Sequence, residues 1–183
     1  TNIMIITQTQ TIMGDEIMGY AREYYGEEIF NSPTEAPSSV YIMTHENLPD
    51  ISKIGMSVNP EQRKKQIAKW TSKEGRVYNY PMSVEWQSEK FDRQLAEAVE
   101  HLAQAYAIVK CGQSTELPET IVSGRSEFFQ CSIKQAISFI AVAFKTAKKF
   151  NNDVLKIAQY AKQYIEKKLN YLPINMARWL SQI

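Results

Sequence analysis

Between Ser39 and Ser57 the chain alternates apolar and polar positions with a period of two. Val40 and Ile42 alternate with Tyr41 and Met43, and Ile54 and Met56 alternate with Lys53, Gly55 and Ser57. This is the pattern of two half-buried strands. His45 to Ile51, with Asn47, Pro49 and Asp50, reads as the hairpin loop between them. Asn59-Pro60 then opens a helix, asparagine as N-cap and proline at the first helical position. The helix is expected to run to about Thr71, with Ile67 and Trp70 inside and Gln62, Gln66 and Lys69 outside. Arg76 to Trp86 suits a third strand, which Pro81 confines to an edge or a bulge.

From there the period changes to that of helices. Ser88 is the expected N-cap of a helix to about Val109, with Phe91, Leu95, Ala98, Val99, Leu102 and Tyr106 as its buried stripe. Cys111 to Gly124 is a polar loop. Ser132 and Gln135 form a capping-box signal for a helix to Phe150. Asn151 to Leu169 is another amphipathic helix, with Leu155, Ala158, Ala161 or Tyr160, Ile165 and Leu169 on one side. Pro173 breaks it, and Ile174 to Ile183 docks through Met176, Trp179 and Leu180. At the other end, residues 1–13 read as an edge strand or a loose terminus. Gly14 to Phe30 reads as an amphipathic helix through Ile17, Tyr20, Ala21 and Tyr24, and Asn31 to Ser38 as a proline-bearing linker. The class is therefore α+β, with a small, mostly antiparallel three-stranded sheet flanked by helices. Residues 1–38 form an N-terminal extension, 39–150 the core domain and 151–183 a C-terminal helical extension.

A chain of 183 residues with 44% hydrophobic positions builds one core. No apolar run is of membrane-spanning length, so no membrane association is expected. Cys111 and Cys131 are too few for a disulfide framework and form no CxxC pair; both are expected reduced and buried, as in a cytoplasmic protein. The net charge of +1 is uninformative, but its distribution is not. Residues 1–38 carry six acids against Arg22 alone, whereas residues 132–183 carry nine Lys and Arg against Asp153 and Glu166. A basic end suits a polyanionic partner, although lysines also simply solvate outer helix faces. Glycine loops of the Walker or dinucleotide type are missing, and so are a zinc spacing and a histidine partner for Cys111.

Several residues in fixed order carry the chemistry. They are Tyr41 in Ser39-Val40-Tyr41, Gly55 in Lys53-Ile54-Gly55, Arg63 on the next helix, His101 with Glu97 one turn earlier, and Glu127 in Gly124-Arg125-Ser126-Glu127-Phe128-Phe129. In order and spacing this set resembles the GIY-YIG nuclease superfamily, in the branch found in phages and fungi, over roughly residues 39 to 143. The resemblance implies a metal-dependent DNA endonuclease, possessed of a magnesium or manganese ion on Glu127. It also implies that Arg63 grips the scissile phosphate and that His101 assists proton transfer or binds a phosphate oxygen. Ser39 replaces a glycine of the family pattern, and Lys53 replaces the second motif's tyrosine. The water's proton passes to Tyr41 or to Lys53; a phenol of pKa about 10 needs a neighbouring cation to act as a base near neutrality. Lys64, Lys65 and the C-terminal lysines are candidate DNA-backbone contacts, and His45 a candidate substrate contact. Two rival expectations stand beside this one. In the first the fold binds DNA or a protein without cleaving; in the second Tyr20, Tyr24 and Tyr25 of the N-terminal helix hold a host protein.

Overall fold

The alternation at residues 39–57 folds as an antiparallel hairpin. The computed structural model describes residues 36–46, 48–71, 77–79, 82–114 and 127–183. In it β1 (Ser39–His45) pairs with β2 (Leu48–Ser57), with Val40 opposite Met56, Ile42 opposite Ile54 and Tyr41 opposite Gly55. Successive side chains point to opposite faces of a strand. This register therefore places Val40, Ile42, Ile54 and Met56 on one face, and Tyr41, Met43, Lys53 and Gly55 on the other. The expected loop of residues 45–51 is shorter than predicted: His45 still pairs with Leu48, and Ile51 is buried.

The first helix, α1 (Pro60–Ala68), is capped as expected, with the Gln62 N–H donating to Asn59 Oδ1 at 3.1 Å. It stops short of Thr71 because Lys69–Thr71 (β3) pairs with Val77–Asn79 (β4) in a separate two-stranded ribbon. The predicted strand 76–86 is thus two strands, β4 and β5 (Met82–Gln87), on either side of Pro81, which lacks the N–H a ladder requires. The main sheet has four strands rather than three. β5 lies beside β1, and β6 (Phe128–Phe129) lies beside β2, pairing Phe128 with Lys53 and Phe129 with Ser52. Two residues are too few to show a period, yet β6 gives one ring to each face of the sheet.

The helices follow. α2 (Arg93–Lys110) starts at Asp92, whose carboxylate accepts the Leu95 N–H at 3.0 Å, not at Ser88. Ser88 instead prolongs the sheet edge: its N–H donates to Val40 O at 2.9 Å and its Oγ accepts the Val40 N–H at 3.0 Å. α3 (Ile133–Lys149) carries the predicted reciprocal capping box between Ser132 and Gln135. Asn151 and Asn152, with φ of 52° and 58°, turn the chain, so α4 (Val154–Lys168) begins at an Asp153 cap. α5 (Ile174–Gln182) closes the chain.

One face of the sheet packs Val40, Ile42, Ile54 and Met56 against α2, and the same cluster takes in Ile140, Ile165, Met176 and Trp179 from α3, α4 and α5. Each such fully buried side chain contributes about 1.5–3 kcal/mol of hydrophobic stabilisation. Residues 151–183 therefore share the core of residues 39–150. α2 runs through its middle, with thirteen of eighteen residues buried, so its predicted single stripe is a helix covered nearly all round. On α4 the inward residue is Ile157; Leu155, expected inside, is 59% exposed. The opposite sheet face packs Tyr41, Met43, Ile51 and Phe128 against Ile67 of α1. The expected N-terminal strand and helix, and most of the expected loop before Glu127, lie outside the described residues. Among the described residues no helix is long and apolar enough to cross a membrane.

Candidate active site

The α1-facing side of the sheet holds a polar group of side chains within an apolar frame. Tyr41 is fully buried at the middle of β1 and lies across Gly55. A Cβ at position 55 would stand 2.4 Å from Tyr41 Oη, so only glycine admits the phenol there. Two residues away on the same face, Lys53 is also fully buried; its Nζ contacts the Glu127 carboxylate at Oε2. The same Nζ stands 5.9 Å from the Tyr41 ring centroid and 5.6 Å from that of Phe128. Glu127 is brought there by β6, whose pairing of Phe128 with Lys53 sets its neighbour beside the ammonium. Arg63 comes from α1, one turn before the inward Ile67 and hence on the same helix side. It is 1% exposed, and its Nη1 donates to Gln66 Oε1 at 3.5 Å.

Burial pushes Tyr41, Lys53 and Glu100 toward their neutral forms. It raises the Tyr41 phenol above its ordinary value, against the lowering charge of Arg63 and with a further push from Glu100. It lowers the Lys53 ammonium, helped by the positive charge of Arg63, while Glu100 and the Glu127 contact favour the charged form. Glu100, on α2, is pushed up to about 7 by burial and by Glu97, with Lys53 and Arg93 opposing. A protonated phenol is a hydrogen-bond donor rather than a base, and Tyr41 Oη, beside the donor-only Arg63, has no hydrogen-bond acceptor among the described residues. That orphaned hydroxyl, beside a guanidinium and an ammonium, suits an oxygen-rich ligand such as a phosphate or a water.

A hard divalent cation takes oxygen ligands and keeps several waters, with one or two carboxylates as its protein anchor. Among the described residues no three His, Cys, Asp or Glu side chains gather as a metal cage. Glu127, with a side chain 13% exposed, fits the sparser kind of site, one carboxylate completed by water and substrate oxygens. Cys111 and Cys131 are free thiols raised in pKa by burial.

Of the residues expected from sequence, Tyr41, Lys53, Arg63 and Glu127 come together. His101 stands on the helical side of the sheet: Trp179 of α5 stacks on it at 4.8 Å and 18°, and Glu97 Oε1 lies 4.0 Å from its Nε2. His45 is the buried end of β1, opposite Met82, with its pKa lowered by burial. Lys65 is exposed on α1, and Lys64 pairs with Glu61 at 2.5 Å. Sequence reasoning missed Glu100, Arg93 and Gln104. Gln104 Nε2 donates to Ile54 O at 2.8 Å and so ties α2 to the strand carrying Lys53. The missed signal was the spacing 97, 100, 101, 104, a polar stripe on a helix whose other faces are apolar.

Residues 38–144, more than half of the chain, match the family model of the T5orf172 domain. No curated protein and no solved structure matches the chain.

Proposed function

This chain belongs to the T5orf172 domain family, and from that premise we propose that it is a phage-type DNA endonuclease of the GIY-YIG kind, hydrolysing phosphodiester bonds with a magnesium or manganese ion. The family is phage-associated and related to nuclease folds of the GIY-YIG-like and HNH-like types. The observation that carries the reading is the burial of a phenol, an ammonium and a guanidinium on one sheet face, with a carboxylate drawn onto the ammonium.

Phosphodiester hydrolysis needs an activated water, neutralised charge on the phosphorane and a stabilised leaving oxygen. Glu127 would hold a divalent cation, which would supply positive charge toward the last two of these requirements. Arg63 offers its planar fork of donors to the non-bridging oxygens of the scissile phosphate. Tyr41 Oη, a donor, orients the water, and Lys53 Nζ, which burial and the charge of Arg63 push toward the neutral amine, receives its proton. Met43, Ile67 and Phe128 wall the group from solvent, which strengthens each of these charge interactions. Lys65, and the exposed lysines of α3 and α4, supply contacts to the DNA backbone that carry affinity without sequence preference.

The test is cleavage of supercoiled plasmid in magnesium or manganese by the wild type and by Glu127→Ala, Arg63→Ala and Tyr41→Phe. Wild-type cutting with loss in each variant supports the reading; equal cutting by all four proteins overturns it. One observation favours a second reading: Glu127 is already engaged by Lys53. A protein that retains DNA but never cuts it under any divalent cation is the binding module that this engagement suggests.

A further inference from the structure

His101 has no part in the mechanism above, yet it occupies an unusual place. It is 6% exposed, and apart from the Gln104 side chain beside it the ring nitrogens have no hydrogen-bond partner among the described residues. Its Nε2 is 4.0 Å from Glu97 Oε1, too far for a hydrogen bond. An orphaned buried polar group is costly unless something bonds it. Beside it is a cavity of about 150 Å³. One wall is a face of α2, where His101, Gln104 and Ile108 stand at helical spacing; the others include Phe129, Ile165 and Met176.

The lining sets the ligand's chemistry. A cavity of this volume, when walled by apolar side chains, takes a six-membered ring such as benzene. Phe129, Ile165, Ile108 and Met176 are such walls, while His101 and Gln104 add directional polar atoms. Burial lowers the His101 pKa to about 3, so the imidazole is neutral and offers one donor and one acceptor. Glu97 and Glu100 on the same stripe of α2 disfavour an anion. Trp179 covers one face of the imidazole, so a ligand meets the ring at its edge.

We propose that this cavity binds a neutral planar heterocycle of pyrimidine size, held by a hydrogen bond to His101. The chemistry fits a free nucleobase or a base unstacked from a nucleic acid strand. The inference stands apart from the nuclease reading, since it concerns binding and draws on α4 and α5, beyond the residues that match the family.

Titration of the intact chain with cytosine and with uracil, followed by ligand-observed NMR in EDTA, tests it. Benzene and inorganic phosphate serve as controls. The expected result is saturable binding of a base, no binding of phosphate, and at least a 10-fold loss of affinity in His101→Leu. His101→Asn, which keeps a donor and an acceptor, should recover part of that loss. Ala105→Leu, which fills the cavity and leaves His101 in place, should also abolish binding; thermal melts establish that each variant is folded. The proposal is overturned if neither base binds, if benzene binds as tightly as the bases, or if folded His101→Leu binds them unchanged. Competition by a single-stranded oligonucleotide assigns the bound base to nucleic acid, and base binding without such competition assigns it to free bases.

Discussion

Replacing Gly55 by alanine probes the geometry of the site at one atom. The added Cβ would stand 2.4 Å from Tyr41 Oη, 2.5 Å from Cζ and 2.9 Å from Cε2. Ordinary carbon contacts sit at about 3.5–4.0 Å, so the ring must move by roughly 1 Å. It has little room to do so, since Tyr41 is fully buried and packed with Ile67 and Phe128. Overpacking of this kind costs about 1–3 kcal/mol, and removing a strand glycine returns about 0.5–1 kcal/mol. At mid-range the net loss is about 1 kcal/mol, a fall in Tm of roughly 2–4 °C for a chain of this length. Cleavage should suffer more, because a 1 Å displacement of a reacting group costs about 100-fold. Thermal unfolding and plasmid cleavage measure the two effects. The three nearest atoms all belong to Tyr41, so Gly55→Ala should be much less harmful to stability in a Tyr41→Leu background. An unchanged Tm in the single variant, or an equal loss in both backgrounds, refutes the reasoning.

Other perturbations separate stability from chemistry. Lys53→Met leaves behind a Glu127 carboxylate that still reaches water, so denaturant unfolding should show a change within about 1 kcal/mol; Glu127→Ala strands a fully buried ammonium and should cost about 2–4 kcal/mol. Both should abolish metal-dependent cleavage, and equal destabilisation by the two would contradict the burial argument. His101 is neutral when folded down to about pH 3 but takes a proton at its ordinary value when unfolded. The unfolded chain therefore binds more protons between about pH 3 and 6.5, and His101 contributes stability that is lost on acidification through that window at about 1.4 kcal/mol per pH unit. His101→Gln should flatten that acid limb in unfolding curves; identical pH profiles would show that the imidazole titrates freely. In binding assays over a salt series, Lys65→Ala should lower the log–log slope by about one. Lys64→Ala should lower it less, since Glu61 already pairs with it, and slopes unchanged from wild type in both would remove α1 from the interface.

The parts of the fold that local chemistry dictates were legible in the sequence. Period-two alternation placed Tyr41, Lys53 and Gly55 on one face, and the Asn59 and Ser132–Gln135 caps marked two helix starts. What failed depended on partners distant in sequence. Ser88 has the composition of a cap but bonds to Val40 across the sheet edge, so the helix waits for Asp92. Leu155 and Ile157 are equally apolar, and only the position of α2 decides which one turns inward. Within the site, no periodicity marks Glu127: its place is set by a two-residue strand and was suggested only by family resemblance. The surroundings of His101 were invisible because Trp179 reaches it from 78 positions further along the chain.

The charges kept on this face are energetically costly. Lys53 and Arg63 are at most 1% exposed, and taking such ions from water costs several kcal/mol each. Apolar side chains of similar volume hold a core equally well or better, as Val40, Ile42, Ile54 and Met56 do on the opposite face of the same two strands. Stability alone therefore does not explain why one face of the hairpin is aliphatic while the other keeps an ammonium, a guanidinium and an orphaned phenol. The phosphate of the proposed function would, because it would give Tyr41 Oη an acceptor and meet charged groups already stripped of water. Binding then recovers an electrostatic cost that folding has already met, which is the condition under which preorganised charges act most strongly.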